Sequence, residues 1–131
     1  MADPSHRKQN PVRVLLVDDE PLTLESYARY LEFSGFEVIT ALDGEEALAK
    51  VKKEKPDIVF LDIRMPKMDG WEACRRIKED PAICGTPIVF LTAFDQAQDH
   101  ERAKSLCVQG YITKPCEPSE LVRQIRACVV V

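Results

Sequence analysis

Five residues of this chain stand where their types could do chemistry together. Asp18 and Asp19 follow the apolar run Val12-Arg13-Val14-Leu15-Leu16-Val17. Asp62 closes the run Asp57-Ile58-Val59-Phe60-Leu61, Thr92 follows Pro87-Ile88-Val89-Phe90-Leu91, and Lys114 follows Gly110-Tyr111-Ile112-Thr113. Each has an ordinary reading alone: Asp18 as a helix N-cap, Thr92 as a cap or turn residue, Lys114 as a solvated charge. Together they need a shared explanation. Carboxylates brought close raise one another's pKa unless a cation lies among them. Oxygen ligands without His or Cys suit a hard ion, Mg²⁺ rather than zinc. Mg²⁺ shares its shell with water and phosphate, and an ammonium and a hydroxyl are natural partners for phosphate oxygens. The inventory spells a carboxylate–Mg²⁺–phosphoryl site.

The elements must bring these residues to one place. The runs at 12–17, 57–61 and 87–91 are nearly continuous in apolar residues, as expected of central strands covered on both faces. Phe36–Thr40 and Gly110–Thr113 supply two more strands. Between them lie helical patterns. Pro21 suits a first helical position, Leu24, Tyr27, Ala28 and Leu31 form an apolar stripe, and Gly35 ends it. Asp43 with Glu46, and Asp69 with Glu72, form capping-box-like starts for two further helices. A fourth helix is expected over about 96–108, and a fifth from Pro118 through Leu121, Ile125 and Cys128. Alternating strands and helices predict an α/β fold, a single (βα)5 domain over residues 11–131 with a parallel sheet and helices on both faces. Residues 1–10 are expected to be a disordered tail. Open parallel sheets bind ligands outside the carboxyl ends of their strands, where the five residues stand.

Composition narrows the classes. With 18 basic against 22 acidic residues the net charge is −4, so direct nucleic-acid binding is not expected. No apolar stretch is long enough to cross a bilayer, and residues 1–10 lack the apolar core of a secretory signal. Five cysteines, an odd number without a C-x-x-C pair, argue against disulfides or zinc. A cytoplasmic protein without membrane partners is expected.

Four stretches then resemble a known family. Val-Asp-Asp-Glu-Pro (17–21), Leu-Asp-Ile-Arg-Met-Pro-Lys-Met-Asp-Gly (61–70), Leu-Thr-Ala (91–93) and Gly-Tyr-Ile-Thr-Lys-Pro (110–115) look like the signatures of response-regulator receiver domains. The resemblance covers about residues 12–128 and implies a flavodoxin-like sheet of order 2-1-3-4-5, a fold the chemotaxis receiver exemplifies. It implies that Asp62 accepts a phosphoryl group from a phosphohistidine of a sensor kinase or phosphotransfer protein. It implies Mg²⁺ ligation by Asp19, Asp62 and the main-chain carbonyl of Arg64, with Asp18 acting through a metal-bound water. Lys114 would pair with a phosphoryl oxygen and Ala93 would leave room for the group. Thr92 and Tyr111 would move as the switch, altering the surface of helix 4, strand 5 and helix 5 for a downstream protein or output domain. Such a protein catalyses its own phosphorylation and slow dephosphorylation and is not a turnover enzyme.

Rival readings fit less well. An aspartate-nucleophile phosphatase of the haloacid-dehalogenase type needs a second Asp two residues after the first, where this chain has Arg64. Neither common glycine-rich phosphate loop is present, which disfavours a nucleotide-binding domain. A pseudo-receiver would lack an acidic residue or the Lys, and here none is missing. Arg64 and Phe94 stand at the positions that set phosphate lifetime in the family, and neither side chain is a good acceptor for the proton of an attacking water. Slow self-dephosphorylation is therefore expected. The terminal Val129-Val130-Val131 reads more easily as part of a longer protein than as a natural end.

Overall fold

The computed structural model describes residues 11–93 and 97–129. The expected tail at 1–10, and Phe94, lie outside these residues. Ten elements alternate: β1 Arg13–Val17, α1 Pro21–Phe33, β2 Glu37–Ala41, α2 Gly44–Glu54, β3 Ile58–Leu61, α3 Gly70–Glu79, β4 Ile88–Thr92, α4 Ala97–Ser105, β5 Gly110–Thr113 and α5 Pro118–Cys128. The strands form one parallel sheet in the order β2-β1-β3-β4-β5. No helix among the described residues is long and apolar enough to cross a membrane.

Side chains alternate across the sheet, and that alternation sorts the core into two clusters. Leu15 and Val17 of β1, Val59 and Leu61 of β3 and Phe90 of β4 pack with Val51 of α2, Ile77 of α3 and Ala103 of α4. Their neighbours Val14, Leu16, Ile58, Phe60, Val89 and Leu91 pack on the opposite face with Leu24 and Leu31 of α1 and Leu121 and Ile125 of α5. Both faces are covered, which is why β1, β3 and β4 read as unbroken apolar runs.

Helix boundaries follow local chemistry. Gly35, at φ +99°, ends α1: its N–H bonds to the Glu32 carbonyl at 3.0 Å while that of Phe36 bonds to Leu31 at 3.0 Å. Asp43 and Asp69 cap α2 and α3, accepting from the N–H groups of Glu46 at 2.8 Å and Glu72 at 2.9 Å. The return half of each box differs from expectation. Glu46 reaches past the cap to the Leu42 N–H at 2.9 Å, and Glu72 turns to Arg75 and Arg76. The fourth helix stops at Ser105, short of the expected 108, because Cys107 enters the left-handed region at φ +58° and reverses the chain.

Candidate functional site

Three site residues stand one position beyond a strand, held there by continuation of the sheet's hydrogen-bond ladder. The Asp18 N–H donates to the Ala41 carbonyl at 3.1 Å, Asp62 to Val17 at 3.0 Å, and Lys114 to Thr92 at 2.6 Å. Backbone direction is therefore fixed before any side chain interacts. Helix α3 presses in from the side: the Gly70 N–H bonds to the Ile63 carbonyl at 2.8 Å, and a Cβ on Gly70 would lie 2.3 Å from the Asp62 carbonyl oxygen. Only glycine allows that approach.

These constraints gather the carboxylates. Asp18, Asp19 and Asp62 each offer an oxygen within 4.8 Å of the others. Asp18 and Asp62 are buried at 2% and 5% exposure, and Asp19 is exposed at the rim. The Lys114 ammonium lies 2.5 Å from Asp18 Oδ2 and 3.6 Å from Asp62 Oδ2. Asp18 does not cap α1. Glu20 stands at that position without a side-chain cap, and Asp18 Oδ1 instead accepts from the Glu20 N–H at 2.9 Å, leaving Oδ2 for Lys114. Helix α1 begins at Pro21, so Asp18 stands two residues before the capping position.

Burial and nearby charges act strongly on Asp62. Burial pushes its carboxyl up to about 6; Lys114 opposes the rise, Asp18 adds to it, and the main-chain N–H of Arg64 favours the charged form. Burial works against the Lys114 charge too, yet its hydrogen bond to Asp18 and the field of Asp62 hold its pKa above the ordinary lysine value. Two nearby negative charges keep the ammonium in place.

Of the remaining predicted residues, Thr92, Ala93 and Tyr111 lie on the β4–β5 side of the sheet and Arg64 follows the central strand β3. Thr92 is fully buried and is the last residue of β4 rather than one beyond it. Ala93 follows it, exposed. Tyr111 is half-buried on β5, its ring 6.4 Å from Phe90 and 4.0 Å from His100. Arg64 is exposed, two residues beyond Asp62. Sequence reasoning missed the Arg64 N–H, the close approach at Gly70, and His100; only Gly70, a glycine opening a capped helix, carried a local signal.

Residues 14–126 match the response regulator receiver domain. The chain belongs to the response-regulator receiver family. It is 41% identical over 115 residues to the alkaline phosphatase synthesis transcriptional regulatory protein PhoP of Bacillus subtilis, a match covering 88% of this chain and 47% of that protein. It is 34% identical over 123 residues to the protein PilG of Pseudomonas aeruginosa, covering 94% and 91% of the two chains. Among solved structures it resembles the Vibrio cholerae chemotaxis protein CheY4, with a TM-score of 0.85 and 31% identity over 91% of this chain and 99% of that one. This receiver thus spans about half the length of PhoP and nearly all of PilG and CheY4. The strand order agrees with the order that the family resemblance implies.

Proposed function

We propose that this receiver is a signalling switch turned on by phosphorylation of Asp62. The observation that carries the reading is the convergence of a buried Asp62 with two further carboxylates and the Lys114 ammonium at the carboxyl edge of the sheet. An Asp62 oxygen attacks the phosphorus of a phosphohistidine. The P–O bond forms as the P–N bond breaks, and the donor imidazole keeps the electron pair and regains its proton from solvent. Lys114, steered by Asp18, pairs with a phosphoryl oxygen, and the small Ala93 leaves space for the group. The Thr92 hydroxyl moves to hydrogen-bond the phosphoryl, and Tyr111 follows inward.

The donor set fits Mg²⁺, with carboxylate oxygens from two buried side chains and one exposed, and no nitrogen or sulfur donor. Asp19, Asp62 and the Arg64 main-chain carbonyl would hold the ion, with Asp18 acting through water. When bound, it supplies positive charge for the phosphoryl oxygens.

The donor is a sensor histidine kinase or histidine phosphotransfer protein of the cytoplasm. The altered α4–β5–α5 surface passes the signal to a downstream protein or to an output domain. Each cycle uses one donor phosphoryl, so the protein is not a turnover enzyme. Incubation with Mg²⁺ and acetyl phosphate, followed by intact mass, tests the reading. One phosphoryl group retained on Asp62 is expected. Rapid release of free phosphate would point to a phosphatase, and no change in mass to an unphosphorylated interaction module.

A further inference from the structure

We propose that His100 is a positioning residue whose ring holds Tyr111, and through it helix α4, in the resting arrangement; its signalling consequence rests on the switch reading above. Helix α4 lacks a docking stripe of its own. Its nine residues, Ala-Gln-Asp-His-Glu-Arg-Ala-Lys-Ser, contain no apolar side chain larger than alanine. A helix of a globular domain docks through an apolar stripe, and nine residues are too few to stand alone. Among the described side chains of α4, Ala103 alone is buried, at 3% exposure. A methyl group gives the helix little grip.

Among the described residues, Leu106 just past the helix end packs on the core, and two ring contacts grip the helix itself. Successive helical residues are about 100° apart, which puts His100 about 60° to one side of Ala103 and Arg102 about 100° to the other. On the first flank the His100 ring meets Tyr111 of β5 at 4.0 Å between centroids, tilted 36°. On the second, the Arg102 guanidinium sits 4.5 Å over the Trp71 ring of α3. Helix α4 therefore straddles the body, with Ala103 beneath and one clasp on each side. The rings also connect inside: Tyr111 lies 6.4 Å from Phe90, and Phe90 lies 4.9 Å from Trp71.

The two clasps answer differently to the switch. The Arg102–Trp71 contact involves no residue that moves toward the phosphoryl group. The His100–Tyr111 contact is lost when Tyr111 turns inward. Withdrawal of one ring thus releases a single flank of α4 and makes its displacement a rocking about the α3 side. Conversely, the His100 ring resists the departure of Tyr111 and sets how readily the inward state is reached.

Amide exchange over residues 97–105 in the unphosphorylated protein tests this, for the wild type, His100→Ala, His100→Phe, Tyr111→Ala and the His100→Ala/Tyr111→Ala double variant. Acetyl phosphate uptake with Mg²⁺ is timed alongside for the wild type and the two His100 variants. An aromatic pair accounts for about a two- to tenfold change in such an equilibrium, so His100→Ala should speed α4 exchange by about that factor. His100→Phe should restore the wild-type rate, and the double variant should exchange no faster than Tyr111→Ala alone. Uptake should rise in His100→Ala and return in His100→Phe, which a merely structural contact would not produce. Unchanged exchange in His100→Ala, a Phe that fails to restore it, or effects that simply multiply would overturn the proposal. Faster exchange with unaltered uptake would also overturn it, reducing His100 to a packing contact. The exchange measurement needs no phosphate, so an Asp62 that takes up none would refute the switch reading and leave exchange to decide this one.

Discussion

Replacing Asp62 by Asn should make the Mg²⁺-free protein more stable at neutral pH, and the gain should vanish in acid. The Asp62 carboxyl is raised from 3.8 to about 6, with burial the largest cause. A carboxyl raised on folding favours the folded state while it is protonated. That contribution is complete below the unfolded value and is lost as pH rises through the folded one. Above about pH 6 the wild type therefore holds a buried charge at a cost that the Asn variant avoids. A shift of about two units at about 1.4 kcal/mol each puts the gain near 3 kcal/mol at most. At about pH 4 the folded carboxyl is almost fully protonated and the unfolded one roughly half so, and the gain should fall below about 1 kcal/mol. Urea unfolding in the presence of a chelator, at about pH 7.5 and about pH 4, reads the difference from the midpoints. Adding Mg²⁺ at the higher pH should stabilise the wild type more than Asp62→Asn, since ligand binding to the folded state adds to its stability. A gain independent of pH, or a variant less stable than wild type at pH 7.5, would refute the reasoning.

Three further outcomes are expected. Asp19→Asn should weaken Mg²⁺ binding far more than Glu20→Gln in a metal titration, because Asp19 belongs to the carboxylate cluster and Glu20 does not. Gly70→Ala should lose about 1–3 kcal/mol in urea unfolding, the usual range for overpacking, since the new methyl group would lie 2.3 Å from the Asp62 carbonyl oxygen. The phosphorylated protein should decay slowly, and an Arg64→Asn, Phe94→Glu double variant should decay faster because its side chains can orient the attacking water; equal decay of the two would contradict this.

What the sequence made legible, and what it hid, divides along a physical line. The three central strands were readable because burial on both faces demands unbroken apolar runs, and Val14–Val17, Ile58–Leu61 and Ile88–Leu91 comply. Asp43 and Asp69 announced their helices because a cap bonds three residues along the chain. The convergence of Asp18, Asp19, Asp62 and Lys114 was readable because strand ends share one edge of a parallel sheet. Hidden were the contacts that join distant segments: Lys114 with Asp18, 96 residues apart, and His100 with Tyr111 across two elements. The true end of α4 was hidden as well, since a cysteine in the left-handed region gives no signal of the kind that Gly35 gives.

That division bears on how a switch can be built on a rigid frame. Asp18, Asp62 and Lys114 hang from ladder hydrogen bonds of the sheet, so the acceptor geometry cannot drift far without breaking the fold. Helix α4, by contrast, carries no apolar stripe; among the described residues its own side chains grip the body through two ring contacts and one methyl group, with Leu106 packing on the core just past its end. A few contacts of that size are comparable with the differential binding that new hydrogen bonds to a phosphoryl group supply, about 1–3 kcal/mol. On the proposed switch reading, a helix anchored by buried leucines as α1 is by Leu24 and Leu31 would resist a change at Thr92 and Tyr111 of that size. On the switch reading proposed above, the small apolar content of α4 is what would let phosphorylation at Asp62 reach the surface.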